Sequence, residues 1–324
     1  MSTTSETCAA TAEFLGANSN VASPLMVVLL LLALPTALWL VTYLVPILYM
    51  TIRPVPDLKK KYNATWALVT GGGTGIGKSL AFKLASQGLN VVVVSLDDDF
   101  LKETTKQLKE KYPDQQFRAV GCSFAPGVDY MAAIRKATKD ILVQIIFNNA
   151  GFLVTGVFTF LCYLVSSWMP SSLFRAFLIL RFFLGFMDQT PAGKLLVNME
   201  CNATAGVNVS HHFINQMLEK KVKGCVVFTS SAAGYIPTPF SAIYGATKAF
   251  VTQLAASLHV ELYNEGIDIC VVHPSPVRSN FYNNLDHKVE MLEAAAKQAV
   301  NPDALPDDMF RSIGACALRD LGGT

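Results

Sequence analysis

"TWALVTGGGTGIGKSLAFKLASQG", residues 65–88, changes character twice within one short stretch. Thr65 to Thr70 is β-rich, and from Lys78 the apolar residues recur at helical spacing until Gly88 stops them. Between the two runs stand Thr70, Gly71, Gly72, Gly73, Thr74, Gly75, Ile76 and Gly77. Glycines at such a turn let the backbone bend tightly and approach a pyrophosphate with no Cβ in the way, while the helix that follows turns its positive N-terminus toward the phosphate. A glycine cluster alone is weak evidence. Between a first strand and a first helix it predicts a dinucleotide site.

Outward from this unit the alternation continues. "NVVVVS" (90–95) is nearly continuous valine, as expected of a strand covered on both faces of a parallel sheet. A helix is expected over 98–112, a strand at "FRAVGC" (117–122), a helix over 130–139, and a strand plus turn at "VQIIFNNAG" (143–151). Further on come a helix over 203–220, the strand "GCVVFTSS" (224–231), a helix over 242–264 and the strand "IDICVVHP" (267–274). Strands and helices joined by short links imply an α/β fold with a doubly wound parallel sheet, its ligands at the carboxyl ends of the strands. After the sixth strand no further β-rich run is evident before "LRDLGGT", so the expectation is a missing edge strand or a truncated chain.

Composition adds a membrane. Hydrophobic residues make up 52% of the 324 and charged residues 15%, against about 25% charged in a typical soluble domain. From Phe14 to Ile52 no charged residue occurs, and the apolar density of 24–50 exceeds the ~20 residues that cross a bilayer as a helix. A cleaved signal peptide would have a basic start and an apolar region of ~7–15 residues, whereas this chain begins with Glu6 and Glu13. The expected organisation is a tail over 1–23, a transmembrane anchor over 24–50, a basic linker over 51–64 and one domain over 65–324. Arg53, Lys59, Lys60 and Lys61 place that domain on the cytosolic side. A net charge of +2 without a large basic block argues against nucleic-acid binding. The seven cysteines are scattered singly, and the histidines lack metal-ligand spacing, so neither a disulfide framework nor a metal site is expected. Asp97, Asp98 and Asp99 read as a helix N-terminus.

Tyr244 and Lys248 are four residues apart on an expected helix and therefore share one face. A cation beside a phenol favours the phenolate, bringing a group with an ordinary pKa of about 10 toward use at neutral pH. The pair follows Ser231, at the end of the fifth strand, by thirteen residues.

Taken together, the glycine turn at 70–77, Asn148-Asn149-Ala150-Gly151, Ser231, the Tyr244/Lys248 pair and the proline turn at Pro274 resemble the short-chain dehydrogenase/reductase family over residues 65–281. The resemblance implies a Rossmann-like fold preceded here by the anchor, and a nicotinamide cofactor held by Thr70, Gly71, Gly75, Ile76, Gly77, Ser95, Asn149, Ala150, Gly151, Tyr244, Lys248, Pro274 and Val277. It implies that Tyr244 exchanges a proton with the substrate oxygen, that Lys248 lowers its pKa and holds the nicotinamide ribose, and that Ser231 hydrogen-bonds the oxyanion. A fourth catalytic residue, an asparagine that orients a water, has Asn198, Asn202 and Asn208 as candidates. Asn202 is the best placed, by its distance from Gly224 and the pattern "MECNAT". Dimers through the helix bearing Tyr244 are also implied.

Among anchored members the chain looks most like hydroxysteroid dehydrogenases and long-chain 3-oxoacyl reductases of the endoplasmic reticulum. The expected activity is hydride transfer between a nicotinamide and the carbonyl or hydroxyl of a lipophilic substrate of steroid, 3-oxoacyl or 3-ketosphingoid type. The rival is a binding or scaffold protein that has lost catalysis. NADP(H) is favoured by the resemblance and NAD(H) is not excluded, because Ser95-Leu96-Asp97 lacks the usual arginine, Ser123 stands where relatives have an Asp, and Lys78 is a candidate for the missing positive charge. Phe281, Tyr282, Leu285 and Met291 fall where the family builds a substrate lid. The apolar insert over 160–187 cannot be a second membrane crossing, since that would part the strands of one sheet. A translated intron, an interfacial element and a packed substrate-side loop remain open for it.

Overall fold

The computed structural model describes residues 3–154, 190–238, 241–279 and 299–321. The insert at 160–187 and the lid residues Phe281, Tyr282, Leu285 and Met291 lie outside the described residues. The chain divides into two units, Met1–Pro54 and Val55–Thr324.

The first unit is one helix, α1 (Thr3–Ile52), so residues expected as a tail continue the helix of the apolar stretch. Within it, the 27 residues Met26–Ile52 are long and apolar enough to cross a membrane.

The second unit begins earlier than the expected domain start at 65. Helix α2 (Leu58–Tyr62) is capped by Asp57, whose carboxylate accepts from the Lys60 N–H at 3.1 Å, and it ends at Asn63 in the left-handed region (φ 49°). Leu58 and Tyr62, one turn apart, are buried. The second half of the 51–64 stretch is thus packed structure and not a free linker. Its lysines conceal two core positions at helical spacing.

Seven parallel strands follow in the order β3-β2-β1-β4-β5-β6-β7. They are β1 (Trp66–Thr70), β2 (Asn90–Ser95), β3 (Phe117–Gly121), β4 (Val143–Asn148), β5 (Gly224–Thr229), β6 (Ile267–Pro274) and β7 (Leu318–Leu321). The seventh strand corrects the expectation of a missing edge: Leu318 to Leu321 pairs in parallel register with Val271 to Pro274. "LRDL" carries two charges and only Leu321 is buried, so an edge strand of this length leaves no apolar run to read.

Consecutive side chains of β2 alternate between two cores. Val91 and Val93 face Leu80, Leu84, Met309 and Phe310 on one side, and Val92 and Val94 face Ile134, Val209, Phe213 and Val251 on the other. The first layer is built by α3 (Gly75–Ser86), α4 (Asp99–Lys111) and α9 (Leu305–Ser312). The second is built by α5 (Tyr130–Thr138), α7 (Ala205–Glu219) and α8 (Ala242–Glu261). Asp98 caps α4 by accepting from the Leu101 N–H at 2.9 Å, as the acidic run suggested. The helix expected from 203 starts at 192: α6 (Ala192–Met199) runs through a π-helical turn at Glu200–Thr204 into α7. Order reverses between β1 and β4, the point at which a sheet of this kind leaves a crevice at its carboxyl end.

Candidate active site

The loops at that end are locked together by backbone contacts. The Thr70 hydroxyl, at the tip of β1, accepts from the N–H groups of Asn149 and Ala150 at 3.0 Å each and donates to the Phe147 carbonyl at 3.4 Å. The turn after β4 is thereby tied to the glycine turn after β1, and the Asn149 amide reaches the Gly71 carbonyl at 3.5 Å. Gly71 lies at φ +66°, and a Cβ on it would stand 2.8 Å from the Ala150 Cα. A Cβ on Gly77 would collide with the Gly71 carbonyl oxygen. The turn therefore requires glycine at both positions. Thr74 precedes α3 with no side-chain hydrogen bond to the helix, so its hydroxyl does not cap the N–H groups of the first turn.

Ile76 packs against the first core layer, and Ser95, at the end of β2, has its hydroxyl beside Gly73. Asp97 lies against Gly121, and Leu96 is 58% exposed. The Lys78 ammonium lies over the Phe82 ring, 5.8 Å from its centroid. Pro274 closes β6 opposite Leu321, and Val277 is buried and bridged to Val300.

Tyr244 and Lys248 both lie on α8, one turn apart. Lys248 is 4% exposed, and its ammonium donates to the Thr229 carbonyl at 2.9 Å while standing 5.7 Å from the centroid of the Tyr244 ring. Burial pushes the Lys248 pKa down to about 8, against a smaller opposing pull from Cys201. Cys201, also desolvated, is pushed up to about 11 and stays a thiol. Ser231 follows β5 and caps a short 3-10 turn, Ala232–Gly234, by accepting from the Ala233 N–H at 3.2 Å. As an acceptor there, its hydroxyl keeps a hydrogen to donate.

Of the three asparagines, the structure brings Asn202 to this cluster. A Cβ on Gly151 would lie 3.1 Å from its Oδ1 and 3.4 Å from the Lys248 Nζ, so the turn after β4, the π turn and α8 converge on one point. Its side-chain amide is already engaged, accepting from the Phe152 N–H and donating to the Phe152 carbonyl at 2.9 Å each. Asn198 supports the same loop by donating to the Phe152 carbonyl at 2.7 Å. Asn208 is remote, donating to the Tyr130 hydroxyl at 2.6 Å. The sequence gives no role to Thr229, which contributes only a backbone oxygen, or to Ser230 and Thr252, ordinary polar residues that carry no motif, and His273 is weighed there only as a metal ligand.

The geometry has counterparts. The short chain dehydrogenase family profile matches residues 65–290. A very-long-chain 3-oxoacyl-CoA reductase of Rattus norvegicus is 31% identical over 209 residues, which cover 64% of this chain and 58% of the rat protein. The Caenorhabditis elegans protein let-767, of the same named activity, is 31% identical over 229 residues, covering 71% of this chain and 64% of its own. This chain thus spans less than two thirds of either relative. A solved 7β-hydroxysteroid dehydrogenase superposes with a TM-score of 0.65 at 22% identity, over 83% of this chain and 91% of that one, a likeness of fold.

Proposed function

The chain belongs to the short-chain dehydrogenase family, and from that premise we propose that it is a nicotinamide-dependent oxidoreductase, held at a membrane by α1, that acts on the carbonyl or hydroxyl of a lipophilic substrate. The observation that carries this reading is the Lys248 ammonium, buried between the Thr229 carbonyl and the Tyr244 ring at the mouth of the sheet. A structural lysine would be expected to reach solvent or a carboxylate. This one keeps a cation beside a phenol in a dry setting, where a charge acts most strongly on its neighbour.

The residues fit a dinucleotide. The glycines at 71 and 77 leave the backbone bare where the turn meets α3, and Thr70 holds the loop of Asn149, Ala150 and Gly151 beside it. The bound nicotinamide would supply or accept the hydride. Tyr244 passes a proton to, or takes one from, the substrate oxygen; Lys248 favours its phenolate; Ser231 donates its hydroxyl hydrogen to the developing oxyanion. The π turn at 200–204 carries Asn202 beside Lys248, its amide bonded to the Phe152 backbone, and Asn202 is the residue that would orient a water returning protons to the site. NADP(H) is the favoured nucleotide by family likeness, with NAD(H) as the alternative that Asp97 leaves in place.

Names of relatives guide the substrate: two are reductases of very-long-chain 3-oxoacyl-CoA. A 3-oxoacyl thioester is therefore the first substrate class to assay, ahead of steroids and 3-ketosphingoid bases, with the endoplasmic reticulum membrane as the proposed setting and the domain in the cytosol. Purified protein is to be given each class with NADPH and NADH while nucleotide oxidation is followed. Tyr244→Phe is expected to lower kcat by about 10²–10⁴ while nucleotide binding persists. Full turnover by that variant would overturn the mechanism, and tight nucleotide binding without turnover of any class would favour the scaffold reading.

A further inference from the structure

His273 is 3% exposed at the end of β6, one residue before the proline turn. Both of its ring nitrogens are engaged: the Thr252 hydroxyl gives its hydrogen to the Lys248 carbonyl, so Nε2 donates to Thr252 and Nδ1 accepts from Tyr235. Nε2 lies 2.9 Å from the Thr252 hydroxyl on α8. Nδ1 lies 3.1 Å from the Tyr235 hydroxyl, in the segment that follows Ser231, and 3.2 Å from the Asp320 carboxylate on β7. The Tyr235 ring also packs on the imidazole, with centroids 4.5 Å apart.

What these partners hold decides the meaning of the contact. Thr252 donates to the backbone carbonyl of Lys248 at 2.8 Å, and Ser230, adjacent to Ser231, donates to the same carbonyl at 2.9 Å and meets Thr252 at 2.9 Å. The 3-10 turn is seated directly on α8: a Cβ on Gly234 would come 3.0 Å from the Lys248 carbonyl carbon. One imidazole thus ties the turn that carries Ser231 to the helical turn that carries Lys248, and it lies against Asp320 of the edge strand β7. Its own strand is anchored on both sides, since the Ser230 N–H donates to the Val272 carbonyl at 2.8 Å and Val271 to the Ala317 carbonyl at 2.8 Å. A neutral imidazole carries one donor and one acceptor, and here the partners that meet them stand on the two segments that hold Ser231 and Lys248.

We propose that His273 is a positioning residue for the reaction, holding the Ser231 hydroxyl and the Lys248 ammonium in register through Tyr235 and Thr252, with β7 as its support. This rests on the reading of Ser231 and Lys248 as working groups.

The test compares His273→Leu, His273→Gln, Thr252→Val and Tyr235→Phe in the full chain. Ile134→Ala, a fully buried change in the second core layer away from this network, serves as the control for simple destabilisation. Trace acetylation of Lys248 against pH, read by mass spectrometry, needs no substrate. In the unsubstituted chain its midpoint is expected at about 8. In His273→Leu the turn loosens and water enters, and the midpoint is expected to climb by about one unit toward 10.5. With 3-oxodecanoyl-CoA as probe, kcat is expected to fall about 10²-fold with KM moved less than about 3-fold, the signature of misplaced reacting groups. His273→Gln, whose amide can meet Thr252, recovers most of that loss; Thr252→Val and Tyr235→Phe, each lacking a single leg, fall between. The proposal is overturned if a folded His273→Leu keeps its Lys248 midpoint, or if Ile134→Ala shifts the midpoint and kcat equally. If the unsubstituted chain does not reduce the thioester, the substrate reading fails, and the acetylation midpoints still decide the role of His273.

Discussion

The two ends of the same sheet follow opposite rules. At the carboxyl end Lys248, Asn202, Ser230 and His273 are buried, and each is tied to a backbone group or a neighbouring side chain. At the amino end an open cavity of about 640 Å³ is lined by Lys60, Lys61 and Lys223 together with Trp66, Ile141, Leu142 and Gln144. There several charges reach water: Lys60 is 86% exposed beside Asp57, and Asp140, the partner of the partly covered Arg118 at 2.6 Å, is exposed. Charge that is merely solvated costs little and specifies little, whereas a polar group taken out of water must be partnered, and its partners fix its position. Substitutions at the two ends should therefore differ by an order of magnitude, and that contrast can be broken.

The largest effect is expected at Gly77. Alanine there meets the Gly71 carbonyl oxygen, a backbone atom that can retreat only by displacing the turn it belongs to. Gly77→Ala should cost about 3 kcal/mol or more of stability and abolish nucleotide binding, measured by melting and by calorimetric titration. Wild-type nucleotide affinity in the variant would show that the turn is not the rigid cradle described.

Next in size is the pH dependence set by Lys248. Its folded pKa of about 8 lies below the ordinary 10.5, so between those values the unfolded chain holds a proton that the folded chain has released. Stability contributed by this group therefore rises as pH climbs from 8 to 10.5, by about 3 kcal/mol, and is lost as pH falls through 8. The thiols of Cys122 and Cys201, held at about 11, and of Cys225, at about 12, work in the other direction above their ordinary 9. The informative curve is thus the difference between the unsubstituted chain and Lys248→Met, which should rise over this window. A flat difference would mean that the ammonium is hydrated in solution.

Thr70→Val keeps the shape and removes the oxygen that receives the Asn149 and Ala150 N–H groups. Two partly buried donors are left unmet, for about 2 kcal/mol. Guanidinium melts should show it, together with a weaker hold on the nucleotide, since the loop after β4 is no longer tied to the glycine turn.

The glycine turn and the Tyr244/Lys248 pair stand out in the sequence because their chemistry dictates their spacing, while Ser231 enters through the family resemblance. The parallel sheet was equally plain, because valine runs covered on both faces leave no ambiguity. Less was visible where packing decides. β7 is four residues with one buried, α2 hides Leu58 and Tyr62 among lysines, and α7 was placed without the π turn that lengthens it back to Ala192. His273 was set aside for want of metal-ligand spacing. Its partners Thr252, Tyr235 and Asp320 lie 21, 38 and 47 residues away, and only the fold gathers them.

The smallest effect should be found at the amino end, with Lys60→Gln. Its ammonium stands 3.5 Å from the Asp57 carboxylate with both side chains substantially exposed, a geometry in which water competes for each charge. Helix α2 does not need it: Leu58 and Tyr62 are buried, the Lys59 ammonium reaches the Gly88 carbonyl at 2.7 Å, and the Gln87 amide receives the Leu58 N–H at 2.9 Å. The change should therefore move stability by less than about 0.5 kcal/mol, in low salt and in high, and leave kcat unaltered. Asp57 keeps its capping bond to the Lys60 N–H, since that donor belongs to the backbone. A fall in kcat from so exposed a substitution would mean that the amino end is coupled to the site across the sheet, and the contrast between the two ends would then have to be abandoned.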